Sequence, residues 1–304
     1  MKGASAAVLL IAAQLAFPGA VAPQGSAAVD PLEPSVRREY DQVMQSVVRL
    51  RTVASVELTL RDPSSGLRSV VKRPLTVHGS GVVIGRTEVD GRTEYLILTN
   101  HHVADPSNYV VQEGRFLREN RNNTRAVPRV PEETYLTLSE DGEDSPHDVR
   151  LIEVSRDVRG DMTLMRTVGA TAEMPQFTGR IGFRPDEVAT GMQVITSGYP
   201  NGGRLITDSG EIMDLERRHE LGPIHDDFVL SLPVEHGQSG SPVFVARRVD
   251  TDSGAEVNFI LIGLLHAREK GTSYMVPTTL WQHALDVQLA PAAAVGTLAE
   301  ADIP

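Results

Sequence analysis

Ser239 stands in the run Gly237-Gln238-Ser239-Gly240-Ser241-Pro242, just after the strand-like segment Phe228-Val229-Leu230-Ser231-Leu232. A serine hydroxyl is a poor nucleophile until a base takes its proton. The oxyanion that follows its attack needs backbone N–H donors, which small flanking residues leave accessible. A base is at hand in the pair His101-His102, which closes the apolar run Tyr95-Leu96-Ile97-Leu98-Thr99-Asn100. A carboxylate is at hand in Asp161, which follows Gly160 and opens Met162-Thr163-Leu164-Met165. Taken as His102, Asp161 and Ser239, the three types supply base, orienting carboxylate and nucleophile for acyl transfer.

Such residues act only if rigid elements bring them together, and the dominant hydrophobic period here is two. Residues 47–60, 77–84, 94–99, 193–197, 228–232, 243–247 and 258–265 read as strands rich in Val, Ile and Leu. Asp90-Gly91, Pro200-Asn201-Gly202-Gly203 and Asp252-Ser253-Gly254 are turn signals between them. Many short strands without intervening amphipathic helices predict an all-β barrel or sandwich. Two helices are expected, over residues 35–45 and 279–287, the second with Leu280, Trp281, Ala284 and Leu285 on one face. Residues 115–148 are too polar to be mostly core and read as a long surface loop, and residues 288–304 read as a tail. There is no internal repeat.

Met1-Lys2, the apolar run 6–13 and the small residues after it have the pattern of a signal peptide over residues 1–28. Cleavage is expected after Ala28, or less favourably after Ala22, where Pro23 would follow. A membrane anchor is the competing reading of this run, but it is short and broken by Gln14 and Pro18, and no later segment is long and apolar enough to span a bilayer. Residues 29–287 suffice for one large core. With no cysteine and a net charge of −11, the fold is held without disulfides, cysteine nucleophiles are excluded, and a nucleic-acid surface is disfavoured. The expected setting is secretion or a periplasm, in a bacterium.

The segments around His102, Asp161 and Ser239 resemble those of trypsin-like serine peptidases, and most of all their bacterial HtrA-like and glutamyl-endopeptidase branches. The resemblance runs from Val47-Val48-Arg49-Leu50 through Gly79-Ser80-Gly81-Val82-Val83-Ile84 to Ser273-Tyr274-Met275-Val276-Pro277. It implies two six-stranded antiparallel β-barrels with a C-terminal helix. HtrA-like proteins commonly carry a PDZ domain after the peptidase domain, and none is expected within this chain. In the family's Thr-x-x-His pattern the base stands three residues after the threonine, here Thr99, which selects His102 over His101. The Gly-x-Ser-Gly-[Gly/Ser]-Pro pattern makes Ser239 reactive and Ser241 structural, with the N–H groups of Gly237 and Ser239 as oxyanion hole. An α/β-hydrolase elbow is not met, because Ser241 stands where its second glycine would, and too few residues follow Ser239 for that fold.

Each assignment has a competitor. His101 could be a strand-end or solvated residue or the base itself, and Asp157 or Asp148 could replace Asp161. The histidine pair lacks the companions of a zinc site, so no metal or other cofactor is expected. Pro233 stands where trypsin-like enzymes place the aspartate that binds Lys or Arg, and Val234 beside it suggests an apolar pocket wall. His236 is a candidate rim contact. His266 lies on the strand Leu261-Ile262-Gly263-Leu264-Leu265-His266-Ala267, one residue beyond the position at which glutamyl endopeptidases bind a substrate glutamate. It is either an acid-binding residue or a strand residue with a local hydrogen bond. The reading is an exported serine endopeptidase acting on proteins or peptides, with small aliphatic residues before the cleaved bond. Its alternatives are a non-catalytic binding protein of the same fold and an esterase on another fold. The oligomeric state is not legible in the sequence.

Overall fold

The computed structural model describes residues 36–61, 65, 68–106, 124–128, 133–136, 149–157, 160–170, 173–218, 226–251, 254–269, 272–281 and 285. The signal-peptide segment, Asp148 and the tail 288–304 lie outside the described residues.

The fold is two antiparallel barrels. The first holds β1 (Val47–Arg61), β2 (Arg68–Val89), β3 (Arg92–Thr99), β4 (Thr124–Pro128), β5 (Glu133–Leu136), β6 (Val149–Asp157) and β7 (Met162–Val168). The order β2-β3-β7-β6-β5-β1 closes because β1 also pairs with β2, and β4 lies on β1 beyond β5. The second holds β8 (Arg180–Ile181), β9 (Gln193–Gly198), β10 (Ile206–Arg218), β11 (Asp226–Leu230), β12 (Pro242–Thr251), β13 (Gly254–Glu269) and β14 (Thr272–Pro277). Its order β12-β9-β10-β11-β14-β13 closes through β12 on β13, while β8 adds to β13 in parallel.

The run Tyr95 to Leu98 is apolar throughout because both of its faces are buried. Tyr95 and Ile97 point into the first barrel with Leu50, Val83 and Met165. Leu96 and Leu98 point outward into a cluster shared by both barrels, against Met162, Leu164, Ile195, Phe244, Phe259 and Leu261. A third cluster, with Val194, Ile212, Leu230, Val243 and Ile262, fills the second barrel. The predicted turn at Asp90-Gly91 joins β2 to β3 with both residues at positive φ, 51° and 72°, as a tight hairpin of that type requires.

The first expected helix is α1 (Arg37–Met44), whose Tyr40, Val43 and Met44 enter the shared cluster. At the C-terminal end, Thr278–Trp281 form a 3-10 turn and Leu285 is helical. Trp281 and Leu285 are buried in the same cluster. The rest of that helix lies outside the described residues.

Two expectations need correction. The segment 115–148 is not all loop, for it contributes β4 and β5, which pair with β1. β10 was not foreseen because only Ile212 among residues 206–215 is buried. In these strands backbone pairing sets the structure, with little hydrophobic alternation to announce it.

Candidate active site

β3 ends at Thr99, and the chain turns through Asn100 into the single helical turn α2 (His101–Ala104). Opposite it, Gly160-Asp161 leads into β7, and Asp161 takes a left-handed conformation, φ 47°, that aspartate tolerates better than most residues. Four hydrogen bonds dock these segments. The Asp161 carbonyl accepts from the His101 N–H at 3.1 Å and from Asn100 Nδ2 at 3.0 Å. Its carboxylate accepts from the His102 N–H at 3.0 Å (Oδ1) and from His102 Nδ1 at 2.8 Å (Oδ2). An ionised carboxylate can only accept, so Nδ1 carries the proton and Nε2 keeps its lone pair.

Burial works to lower the pKa of His102, but the charge of Asp161 and the hydrogen bond to it prevail and hold it above the ordinary value. For Asp161, burial works upward, and the contacts with His102, followed by the charge of His266, hold the carboxyl below the ordinary range. The second histidine is spoken for. His101 is buried, with Nδ1 3.1 Å from Thr163 Oγ1, so it is a core residue and not a solvated one. Asp157 closes β6 and is not the carboxylate that meets His102.

Ser239 lies in the turn 237–241, in which Gly237 and Gly240 have φ of 88° and 83°. The turn is tied to both barrels. Its Ser239 carbonyl accepts from the Ser80 N–H at 2.8 Å, and the Gly240 N–H donates to the Leu265 carbonyl at 2.8 Å. A Cβ on Gly240 would stand 2.1 Å from the Ser80 carbonyl oxygen, so the close approach requires glycine. Gln238, 2% exposed, accepts from the Glu235 N–H at 2.6 Å and donates to Asp208 at 3.1 Å. The N–H groups of Gln238, Gly240 and Ser241 are all spent on carbonyls. Among the described residues, none accepts from the N–H groups of Gly237 and Ser239, the two expected to form the oxyanion hole. Nor does a hydrogen bond among the described residues join the Ser239 hydroxyl to His102.

Sequence reasoning missed Ser80, whose hydroxyl donates to the Gly237 carbonyl at 3.2 Å and accepts from the Tyr199 N–H at 2.9 Å, while Thr99 Oγ1 donates to its carbonyl at 2.7 Å. The glycines at 79 and 81 were its signal, because a Cβ at either would strike Val103 or Ile97.

The pocket residues are spread more widely. Pro233 and His236 are exposed, and the His236 carbonyl accepts from the Asn201 N–H at 2.6 Å. Val234 is buried in the second barrel's core. His266 turns inward. The pairing of β12 with β13 skips Ile262, so the alternation of faces shifts there by one residue. Leu265 then enters the barrel core, while His266, with a side chain 4% exposed, meets Asp227 and Asp161.

The profile of the trypsin-like peptidase domain matches residues 79–248, more than half the chain. The chain belongs to the trypsin-like peptidase family. Members of that family are hydrolases of peptide bonds, and the double barrel is the fold expected of one. Among solved structures the chain is similar to an HtrA-type protease with a decapeptide, at 14% identity and a TM-score of 0.49. The match covers 83% of this chain and 66% of that one, just under two thirds of its length. A search of curated proteins found no match.

Proposed function

We propose that this trypsin-like protein is an exported serine endopeptidase in which Ser239 attacks the substrate carbonyl, His102 takes its proton and Asp161 fixes the imidazole. The observation that carries the proposal is the two-point clamp of Asp161 on His102, through backbone N–H and Nδ1, which leaves Nε2 as the accepting nitrogen. In the mechanism, Ser239 Oγ bonds to the carbonyl carbon as its proton passes to His102 Nε2, and the oxyanion is received by the N–H groups of Gly237 and Ser239. The imidazolium then gives that proton to the departing amine. Water, deprotonated by the same nitrogen, hydrolyses the acyl-enzyme and returns the proton to Ser239. The hydroxyl–imidazole bond of such a site commonly tightens only when substrate is bound.

The alternative is a peptide-binding protein of the same fold without turnover. Titration with a fluorophosphonate separates the two: stoichiometric labelling of the parent, lost in Ser239→Ala together with about a million-fold in rate, is expected of the peptidase. An unlabelled, inactive parent is expected of the binder. For the substrate, small aliphatic residues before the cleaved bond are favoured, since Pro233 offers no charge to a basic side chain. His266, turned to two carboxylates, is no partner for a substrate glutamate. Export rests on residues 1–28, and the mature chain should begin at Val29 or Pro23, which N-terminal sequencing decides.

A further inference from the structure

Immediately before Ser239 stands a buried amide with all of its polar groups engaged. Gln238 Oε1 accepts from the Glu235 N–H at 2.6 Å, and the Gln238 N–H donates to the Glu235 carbonyl at 3.2 Å, so the segment 235–238 is closed twice. Nε2 donates to Asp208 Oδ2 on β10 at 3.1 Å, and the Gln238 carbonyl accepts from the Ser241 N–H at 2.9 Å. An N–H on one side and a carboxylate on the other leave the amide one orientation, oxygen toward the first and nitrogen toward the second. We propose that Gln238 and Asp208 are positioning residues, which together hold the turn in the shape that aims the N–H groups of Gly237 and Ser239 at the oxyanion. The proposal rests on reading Ser239 as the nucleophile and those two N–H groups as its oxyanion hole.

A trans peptide sets its N–H opposite its carbonyl, so the partners of the carbonyls decide where the two donors point. The Gly237 N–H shares a peptide with the His236 carbonyl, which is bonded to the Asn201 N–H. The Ser239 N–H shares one with the Gln238 carbonyl, which is bonded to the Ser241 N–H. Between them lies Gly237 at φ 88°, a residue type about which a peptide can turn over at little steric cost, taking a donor with it. The bond from Asn201 restrains this from outside the turn. The Gln238 side chain restrains it from within, reaching from Glu235, ahead of the glycine, to Asp208, which β10 holds opposite Thr196 of β9.

A glutamine that merely filled space would matter for folding and leave the chemical step alone. The test therefore exchanges the partners and reads kcat and KM on a peptide substrate. Gln238→Glu sets two carboxylates face to face. Adding Asp208→Asn reverses the bond, with the amide donating from position 208 and the carboxylate at position 238 still accepting from the Glu235 N–H. Gln238→Glu is expected to lower kcat by about ten- to a hundred-fold, the worth of one hydrogen bond to a charged group, with KM unchanged. The exchange is expected to recover most of that loss. Asp208→Ala, at a half-buried strand position, is expected to lower kcat by a similar factor and decides the matter if Gln238→Glu fails to fold.

An unchanged kcat in folded Asp208→Ala or Gln238→Glu overturns the proposal, as does a loss in Gln238→Glu that the exchange leaves as large. A raised KM with kcat kept also overturns it, because the pair would then serve substrate binding. Fluorophosphonate labelling of the parent keeps the two readings apart. An unlabelled parent removes the nucleophile on which the proposal rests, whereas a labelled parent with any of these three results removes the proposal alone.

Discussion

At the scale of single residues, the His102–Asp161 pair sets how the site responds to pH. The proposed base must be neutral to act, and His102 is held above the ordinary histidine value of about 6.5, so kcat/KM should rise through a pKa above that value and be small at pH 5. A pH profile checks this, and a flat profile between pH 5 and 8 would contradict it. Linkage gives the sign for stability. The raised His102 contributes stabilisation below its ordinary pKa that is lost as pH rises through the folded value. The depressed Asp161 contributes stabilisation above about 3.9 that is lost as pH falls through its lower folded value. The Tm advantage of the parent over Asp161→Asn should therefore be greatest between the two and shrink at either end.

Ser241 offers the opposite kind of prediction. Its hydroxyl is fully buried and, among the described residues, has no hydrogen-bond partner. A buried polar group without a partner costs about 1–3 kcal/mol, so Ser241→Ala should leave the Tm unchanged or raise it, with labelling of Ser239 retained. The types and order of His102, Asp161 and Ser239 were legible in the sequence because each stands in a local pattern of its own. Asp227 was not, because its role comes from a contact made across the fold, with His266 39 residues further on.

At the scale of elements, the site depends on how strand ends are tied to turns. Arg49 on β1 is buried and donates through Nη1 to the carbonyls of Gly202 at 2.9 Å and Gly203 at 3.0 Å, and its guanidinium lies 5.4 Å from the centre of the Tyr199 ring. That turn in turn presents the Asn201 N–H to the His236 carbonyl, next to Gly237. Arg49→Ala should cost about 1–3 kcal/mol in denaturant unfolding and lower kcat. Arg49→Lys should not restore either, since an ammonium lacks the planar guanidinium that lies over the Tyr199 ring. Full rescue by lysine would show that only the charge mattered. Strands with both faces buried, such as β3, could be read from composition, and β13 could be placed. The register shifts at Ile262 and at His266 could not, and the direction of His266 depends on them.

At the scale of the whole molecule, the two barrels meet through one apolar cluster, and with no cysteine in the chain no disulfide joins them. Phe244 is central to it, fully buried, with its ring centre 5.1 Å from that of Phe177 and 6.5 Å from that of Phe259. Phe244→Ala should destabilise by about 3–5 kcal/mol. Activity should fall with it, because His102 and Asp161 come from the first barrel and the turn of Ser239 from the second. Calorimetry with a parallel activity assay checks both, and a stable but inactive variant would show that the interface positions the site more than it holds the fold.

Barrel closure has a further meaning for a protein proposed to cut polypeptides. A peptidase of this kind reads its substrate as an extended strand, and an open sheet would offer its own edge backbone in that form. Closure gives each of the six ring strands a neighbour on both sides, leaving only β4 and β8 with one, so most of the protein's extended chain is withheld from the proposed active site. Self-digestion is thereby steered to the connections between strands, and the positions of autolytic cuts in an ageing preparation would trace the outline of the two barrels.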